Sequence, residues 1–266
     1  MIKALALGFH DIIEPGAPEA SGFPGPAAGH YKVDAPAFAS YLEAMARVLR
    51  GTPEAGASFP AGRGGHVPFY LTFDDGGASA PRTADLLERF GWKGYFFVTT
   101  DFIGTPGFMT GGEIRRMRAR GHVIGSHSRS HPSRMSALSA GAMDAEWRGS
   151  VEALTGVLGE SVAVASVPGG YFSRGVAMTA ASSGIRLLFT SEPTMRVSVV
   201  DGCAVVGRYA VVRGTPAAVA AALAAGGAGP RWRQTLVWNA KKGAKKLGGR
   251  HYVTLRRFIF SRTEGI

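Results

Sequence analysis

Short runs of apolar residues alternate along this chain with longer segments in which apolar residues recur at helical spacing. Runs such as FYLTF and YFFV are typical of strands buried on both faces, whereas APAFASYLEAMARVLR is typical of a helix with one apolar face. We therefore predict strands at 3–9, 67–73, 93–99, 122–126, 162–167 and 185–190, with one or two more within 203–212. We predict helices at 35–50, 81–91, 139–158, 173–184 and 215–227, and one between 110 and 121.

Two of these helices carry recognisable start signals. Thr110 followed by Glu113 forms the pattern of a capping box, and Gly121 is placed to end that helix. Thr215 is predicted to cap the helix that follows it, with Pro216 in the first turn.

The strand–helix alternation, repeated about seven times, predicts a parallel sheet flanked by helices. Polar residues follow several of the predicted strands: His10 follows the first, Asp74 and Asp75 the second, and His127 the fourth. The active sites of (β/α) barrels lie at the C-terminal ends of the strands. We therefore predict an α/β fold, a barrel of about seven parallel strands, with its chemistry at this rim.

Length and charge refine the domain organisation. The 266 residues suffice for one large domain, and no linker divides them, so we predict a barrel domain at 1–228 and a basic segment at 229–266. The net charge of +11 invites a nucleic-acid interpretation, but much of the excess lies between 231 and 258. A basic segment of this kind can also meet anionic lipid, a lipid-linked phosphate or only solvent. We predict no specific nucleic-acid partner and a peripheral contact between 229–266 and an anionic membrane.

The N-terminal residues MIKALALGFHDIIEPG are interpreted as a first strand and not as a signal peptide, because Asp11 and Glu14 follow the short apolar run at once. No apolar run approaches the ~18 residues needed to span a bilayer. The single cysteine, Cys203, excludes an intrachain disulfide and is interpreted as a buried residue. The expected location is cytoplasmic, either free or at the inner membrane face.

The pair His127 and His131 in GSHSRSHP suggests a metal site. If the chain turns helically after the preceding strand, both imidazoles lie on one side. Asp74 and Asp75, at the end of another strand, offer a third ligand and a second carboxylate that faces the substrate. Two histidines and one aspartate leave coordination positions open, which is characteristic of a catalytic metal.

The order TFDDG, GYFFV and GHVIGSHSRSHP resembles the polysaccharide deacetylases, the carbohydrate esterases with a NodB homology domain. The opening GFHDI, followed by YKVDAPAFASYL, is most similar to deacetylases of the poly-N-acetylglucosamine type. This resemblance implies a distorted (β/α) barrel and a divalent metal, with zinc favoured over nickel, cobalt or iron. It implies Asp75, His127 and His131 as metal ligands and Asp74 as the general base.

The chain departs from the family pattern at two places. Ser166 in SVPGG stands where many members have an arginine that holds the catalytic base, although the backbone of Gly169 or Gly170 remains available to an oxyanion. The late histidine that usually supplies the general acid is also absent, since His251 in the basic segment is the next histidine after His131.

Other residues are candidates with alternative interpretations. His10 is interpreted either as the general acid or as a hydrogen-bonded rim residue. Arg208 is a candidate for substrate binding or for replacing the missing arginine beside Asp74, and otherwise a surface arginine. Tyr171 is a candidate for stacking on a sugar ring, and otherwise packs its loop.

The sequence therefore predicts a hydrolase that cleaves the amide C–N bond of an acetylated amino sugar, in a polysaccharide or a lipid-linked saccharide. The alternative is a non-catalytic relative that keeps the metal and binds glycan. Asp74 favours the enzyme, because metal binding alone does not require a second aspartate.

Overall fold

The structure is a computed structural model that describes residues 2–60 and 67–240. Its strands are β1 (Leu5–Phe9), β2 (Ile12–Ile13), β3 (Val33–Asp34), β4 (Phe69–Phe73), β5 (Tyr95–Val98), β6 (Val123–Ser126), β7 (Val164–Ser166), β8 (Leu187–Phe189), β9 (Ser198–Val200), β10 (Cys203–Val206) and β11 (Tyr209–Ala210). Its α-helices are α1 (Pro26–Gly29), α2 (Ala35–Val48), α3 (Ala80–Glu88), α4 (Gly111–Ala119), α5 (Ala140–Leu158), α6 (Arg174–Ser182), α7 (Ala217–Ala224) and α8 (228–240).

Nine strands form one curled sheet in the order β11-β1-β4-β5-β6-β7-β8-β10-β9. All neighbours in this sheet are parallel except β9, which runs antiparallel to β10. The sheet leaves β11 and β9 as its edges, so it is a half-barrel with a seam. The predicted distorted (β/α) barrel is confirmed, with more strands than the seven expected. The separate pair β2–β3 was also not predicted.

Alternate residues of each strand serve two cores. Outward side chains such as Phe9, Phe73 and Phe96 stack in a row beneath the helices, with ring centroids 5.4 and 4.8 Å apart along the row. Inward side chains such as Tyr70 and Phe189 fill the concave side of the sheet, 5.3 Å apart. Burial on both faces explains why these strands are continuous apolar runs and not alternating ones.

The two predicted helix starts have different outcomes. The capping box is confirmed: Thr110 Oγ1 accepts from the Glu113 N–H, and the Glu113 carboxylate accepts from the Thr110 N–H. The predicted Thr215 cap is wrong, because α7 is capped by Pro216 and Thr215 Oγ1 instead accepts a hydrogen bond from the Val212 N–H. Thr215 therefore fixes the turn that precedes the helix.

Helix α8 crosses the seam of the half-barrel. The Gln234 side chain accepts from the N–H of Ala210 and donates to its carbonyl, which pairs the exposed edge of β11 as a strand would. On the other side, Thr235 Oγ1 donates to the Pro193 carbonyl, 2.9 Å away. The predicted division after residue 228 stays a prediction; residues 241–266, with His251 and most of the basic segment, lie outside the described residues. Within the described ranges, no helix has the length and apolar character needed to cross a membrane.

Candidate active site

Three strands deliver the candidate residues to one edge of the sheet. His10 follows β1, Asp74 and Asp75 follow β4, and His127 follows β6. Because β1, β4, β5 and β6 are parallel neighbours, their C-terminal ends lie side by side. The sequence predicts that these residues follow parallel strands, and the structure shows that the strands are neighbours and that the side chains lie together.

Asp75, His127 and His131 form a cluster suited to a cation. Asp75 Oδ1 lies 3.4 Å from His127 Nε2 and 3.6 Å from His131 Nε2, and one ligand atom from each residue lies within 4.8 Å of the others. Asp75 Oδ1 is buried and has no hydrogen-bond partner among the described residues. A buried carboxylate oxygen facing two imidazole nitrogens, without a donor of its own, fits a divalent metal.

The protonation of the two imidazoles agrees with this interpretation. His127 Nδ1 lies 3.1 Å from the Ser166 carbonyl, to which it donates, so Nε2 is the nitrogen that faces the cluster. Burial lowers the pKa of His127, but Asp74 and Asp75 raise it by more, so these carboxylates favour a cation at this position, whether a proton or a metal ion that replaces it. Burial and the neighbouring His127 lower the pKa of His131 to about 4, so its imidazole is neutral at pH 7.

The backbone that presents these ligands is left-handed at three residues. Asp75, Ser128 and His131 have φ angles of 77°, 63° and 57°. The predicted helical turn after β6 is wrong: the chain bends at Ser128, and its Oγ accepts from the His131 N–H at 3.1 Å. This bend brings the two imidazole centroids to 5.1 Å. Non-glycine residues with such φ angles are uncommon and concentrate at functional sites.

Asp74 is held by Arg208. The guanidinium donates to both carboxylate oxygens, at 2.7 Å to Oδ1 and 2.8 Å to Oδ2, and Ser166 Oγ donates to Oδ1 at 3.0 Å. Burial alone would raise the pKa of the Asp74 carboxyl, but Arg208 and His127 hold it well below its usual range. Asp74 is therefore an ionised carboxylate in a fixed orientation.

Arg208 is committed to this arrangement. Its side chain is buried, and its five N–H donors are taken up by Asp74, Thr72 Oγ1, the Thr190 carbonyl and Ser166 Oγ. Ser166 stands where many relatives were expected to have arginine, and its small side chain bonds to the arginine that arrives from after β10. These contacts support the replacement interpretation of Arg208, while its assignment to substrate binding stays a prediction.

His10 lies beside the cluster. Its Nδ1 is buried without a hydrogen-bond partner among the described residues, and its ring lies 4.7 Å from that of Tyr31. Burial raises the pKa of Asp75, whereas His127 and His10 lower it, and the result is a pKa below the usual range. His10 therefore contributes to the electrostatics of the site, and its role as an acid stays a prediction.

The turn at Pro168–Gly170 forms a further part of the rim. A side chain at Gly169 would stand 2.9 Å from the Ser133 carbonyl, so this turn packs on the loop that carries His131. Tyr171 follows, partly buried, with the Arg134 guanidinium 5.2 Å from the centre of its ring. The roles predicted for Gly169 and Tyr171 remain predictions.

Trp238 was not among the predicted site residues. Helix α8 brings its ring to the same rim, where it lies 3.6 Å from the position that a side chain at Gly170 would occupy. The sequence places this tryptophan in the basic segment, and no neighbouring residue signals a position in the site. Its position depends on the docking of α8 through Gln234, which local sequence does not reveal.

Residues 62–188 match the sequence model of the polysaccharide deacetylase family. This chain carries a polysaccharide deacetylase domain. A segment of 65 residues is 40% identical to the peptidoglycan-N-acetylmuramic acid deacetylase PdaA of Bacillus subtilis, an alignment that covers 24% of this chain and 23% of that protein. The recognition of the family from TFDDG and GSHSRSHP is thereby confirmed.

Solved structures show the same fold around this domain. The Streptococcus pyogenes deacetylase PplD is 18% identical, with a TM-score of 0.67 over 81% of this chain and 95% of that one. IcaB from Ammonifex degensii is 20% identical, with a TM-score of 0.65 over 86% of this chain and 98% of that one. The likeness therefore extends beyond the residues of the deacetylase domain to most of the described chain.

Proposed function

We propose that this protein is a metal-dependent hydrolase that removes the acetyl group from an N-acetylated amino sugar. The observation that carries the proposal is that two adjacent aspartates have different environments, one suited to a metal ion and one to a proton. Asp75 offers two imidazoles a buried oxygen that has no hydrogen-bond partner in the described part of the chain, while Asp74 is bonded to Arg208 and is not needed as a ligand. The deacetylase family and the deacetylase PdaA, which matches a quarter of the chain, support the same reaction class.

A divalent cation held by Asp75, His127 and His131, for which zinc is our choice, would supply Lewis-acid polarisation of the acetyl carbonyl. Asp74 is the proton acceptor in this proposal. Its Oδ1 accepts two hydrogen bonds and its Oδ2 one, so Oδ2 keeps a lone pair for the proton of the attacking water. Arg208 keeps the carboxylate ionised and fixes its orientation.

The remaining steps, which are attack on the acetyl carbon and protonation of the leaving amine, involve residues at the C-terminal ends of the strands. The water oxygen bonds to the acetyl carbon, and the backbone N–H of Gly169 donates to the oxyanion that develops. The C–N bond then breaks, and the leaving amine takes a proton from His10. Tyr171 lies 3.7 Å from the position of a side chain at Gly169 and Trp238 lies 3.6 Å from that at Gly170, so both provide aromatic surface for the sugar ring at this turn.

The alternative of a non-catalytic glycan-binding relative rested on the missing arginine and histidine. Arg208, between β10 and β11, makes the contact with Asp74 that the missing arginine was expected to make, so that departure no longer favours the alternative. A lipid-linked saccharide as substrate and a cytoplasmic location stay predictions.

The substitution Asp74→Asn tests the proposal. We expect metal content, measured by mass spectrometry of the purified protein, to be unchanged, and acetate release from N-acetylglucosamine oligomers to fall by ~100-fold or more. The matched control is Asp144→Asn, a half-buried aspartate on α5 that accepts a hydrogen bond from Arg148. Full acetate release by Asp74→Asn with unchanged metal content would contradict the mechanism.

A further inference from the structure

A cleft of about 760 Å³ lies at the end of the sheet opposite the active site. Leu5 and Phe69, the first residues of β1 and β4, form part of its floor. The C-terminal ends of the same strands carry His10 and Asp74, so one strand length separates the two sites. We call this space the basal cleft, lined by Lys3, Leu5, Arg50, Phe69, Arg196 and Arg231 among others.

The charged residues of the basal cleft are all cations. Lys3, Arg50 and Arg196 are exposed and Arg231 is partly buried, and none of the described residues that line the cleft is acidic. Within residues 2–60 and 67–240, none of the four makes an ion pair. Arg231 donates its Nε hydrogen to the carbonyls of Gly226 and Gly227. The cluster has no compensating carboxylate among the described residues, so its cations repel one another and favour an anionic partner.

An exposed apolar stripe borders these cations. Arg231 and Thr235 of α8 line the basal cleft, and the next residues, Trp232 and Leu236, form the adjoining stripe one turn apart. Trp232 is 68% exposed, and Leu236 and Val237 are each 47% exposed. Apolar side chains beside Lys and Arg, with a tryptophan among them, are typical of helices that lie in a membrane interface.

We infer that the basal cleft and the stripe of Trp232, Leu236 and Val237 together dock on the surface of an anionic lipid bilayer. The cations meet the headgroups while the stripe enters the boundary with the acyl chains. A polynucleotide would neutralise the cations but would leave the apolar stripe in water. The chain's own residues 241–266, with eight Lys or Arg and one Glu, do not complement a cationic surface. This inference does not depend on the proposed reaction.

Vesicle binding of the full-length protein tests the inference. The probes are vesicles of phosphatidylcholine alone and of phosphatidylcholine with phosphatidylglycerol at a ratio of 7:3 as a chosen composition. We expect binding only to the anionic vesicles, and a loss of about tenfold or more in the partition coefficient for Arg50→Glu/Arg196→Glu, since each cation contributes roughly fivefold. Trp232→Ala/Leu236→Ala should also weaken binding.

Matched variants distinguish lipid binding by the basal cleft from lipid binding by other basic residues of the chain. Arg115→Glu/Arg116→Glu, on α4, makes the same change in net charge at exposed positions outside the basal cleft and should bind almost as the parent does. A second variant replaces the four lysines of KKGAKK with glutamine and should retain most of the binding. If this variant loses the binding and Arg50→Glu/Arg196→Glu does not, the tail and not the basal surface binds lipid, and the inference is overturned.

Two further readouts compare the parent protein with its variants. Brominated lipid in the anionic vesicles should quench the fluorescence of the parent more than that of Trp232→Phe; equal quenching overturns the inference. Short duplex DNA should not displace the protein from anionic vesicles at equal phosphate concentration. Displacement that depends on Arg50 and Arg196 but not on Trp232 would identify a polynucleotide site and overturn the inference.

Discussion

Replacing Arg208 with methionine would leave the buried Asp74 carboxyl without the cation that compensates its charge. Methionine resembles arginine in length, so the substitution removes the charge and the hydrogen bonds while it fills much of the space. The guanidinium gives Asp74 contacts of 2.7 and 2.8 Å, and both side chains are 5% exposed or less. The perturbation is therefore confined to one desolvated charge pair.

The expected magnitude follows from this burial. Removing one partner of a buried ion pair destabilises a protein by about 3–5 kcal/mol, because the other charge is left uncompensated. Replacing both partners with neutral groups avoids this cost. Arg208→Met/Asp74→Asn should therefore be more stable than the sum of the single effects predicts, with a coupling energy of about 2–3 kcal/mol.

Urea denaturation at pH 7 in the presence of EDTA measures the four proteins of this cycle without reference to catalysis. The control is the cycle Arg148→Met/Asp144→Asn, a solvent-exposed pair on α5 at 2.7 Å, for which we expect about 0.5 kcal/mol or less. Additive effects at Arg208 and Asp74, equal to those of the surface cycle, would refute the argument that Arg208 compensates the buried aspartate.

Three further predictions concern other parts of the molecule. Burial, followed by Lys93 and Arg120, lowers the pKa of His122 to about 4. His122 therefore binds a proton more strongly in the unfolded chain than in the folded one. Its contribution to the free energy of unfolding is constant above about pH 6.5 and should fall by up to ~3 kcal/mol as the pH drops to 4. Urea titrations should show a smaller loss for His122→Asn. Trp238→Ala should raise KM for N-acetylglucosamine oligomers by roughly 2–10-fold with little change in kcat, whereas Trp232→Ala should not; equal KM values would exclude Trp238 from the substrate site. Gly125→Ala, whose new carbon would stand 2.7 Å from a strand carbonyl, should lower stability by about 1–3 kcal/mol, while Gly156→Ala in open space on α5 should raise it by about 0.5–1 kcal/mol; the opposite order of melting temperatures would contradict this.

Elements whose signals are local were predictable from the sequence. The buried strands and the Thr110 capping box depend on neighbouring residues, and their positions agree with the structure to within a few residues. Strand β9 was missed because it has three residues, two of them exposed, and is defined by its pairing with β10. The Thr215 cap was wrong because its hydroxyl has a competing partner, the Val212 N–H, that only the folded turn supplies.

The candidate site divides in the same way. Asp74, Asp75 and His127 were placed together because the C-terminal ends of neighbouring parallel strands meet. The bidentate contact between Arg208 and Asp74 joins residues 134 positions apart. The sequence left open whether Arg208 pairs with Asp74 or lies on the surface, and only the structure shows that Arg208 donates a hydrogen bond to Ser166 beside Asp74. Trp238 depended on the docking of α8, a tertiary contact without a local signal.

The left-handed backbone at Asp75, Ser128 and His131 bears on how this protein can change over evolutionary time. At each position the left-handed backbone is strained by the side chain, and substitution with glycine would remove this strain and raise the free energy of unfolding by about 1 kcal/mol. A gene copy released from selection for the reaction would therefore gain folding stability wherever it replaced one of these residues with glycine. Along that route the loss of activity would proceed downhill in free energy, and such descendants should melt at higher temperatures than the active parent in the absence of metal.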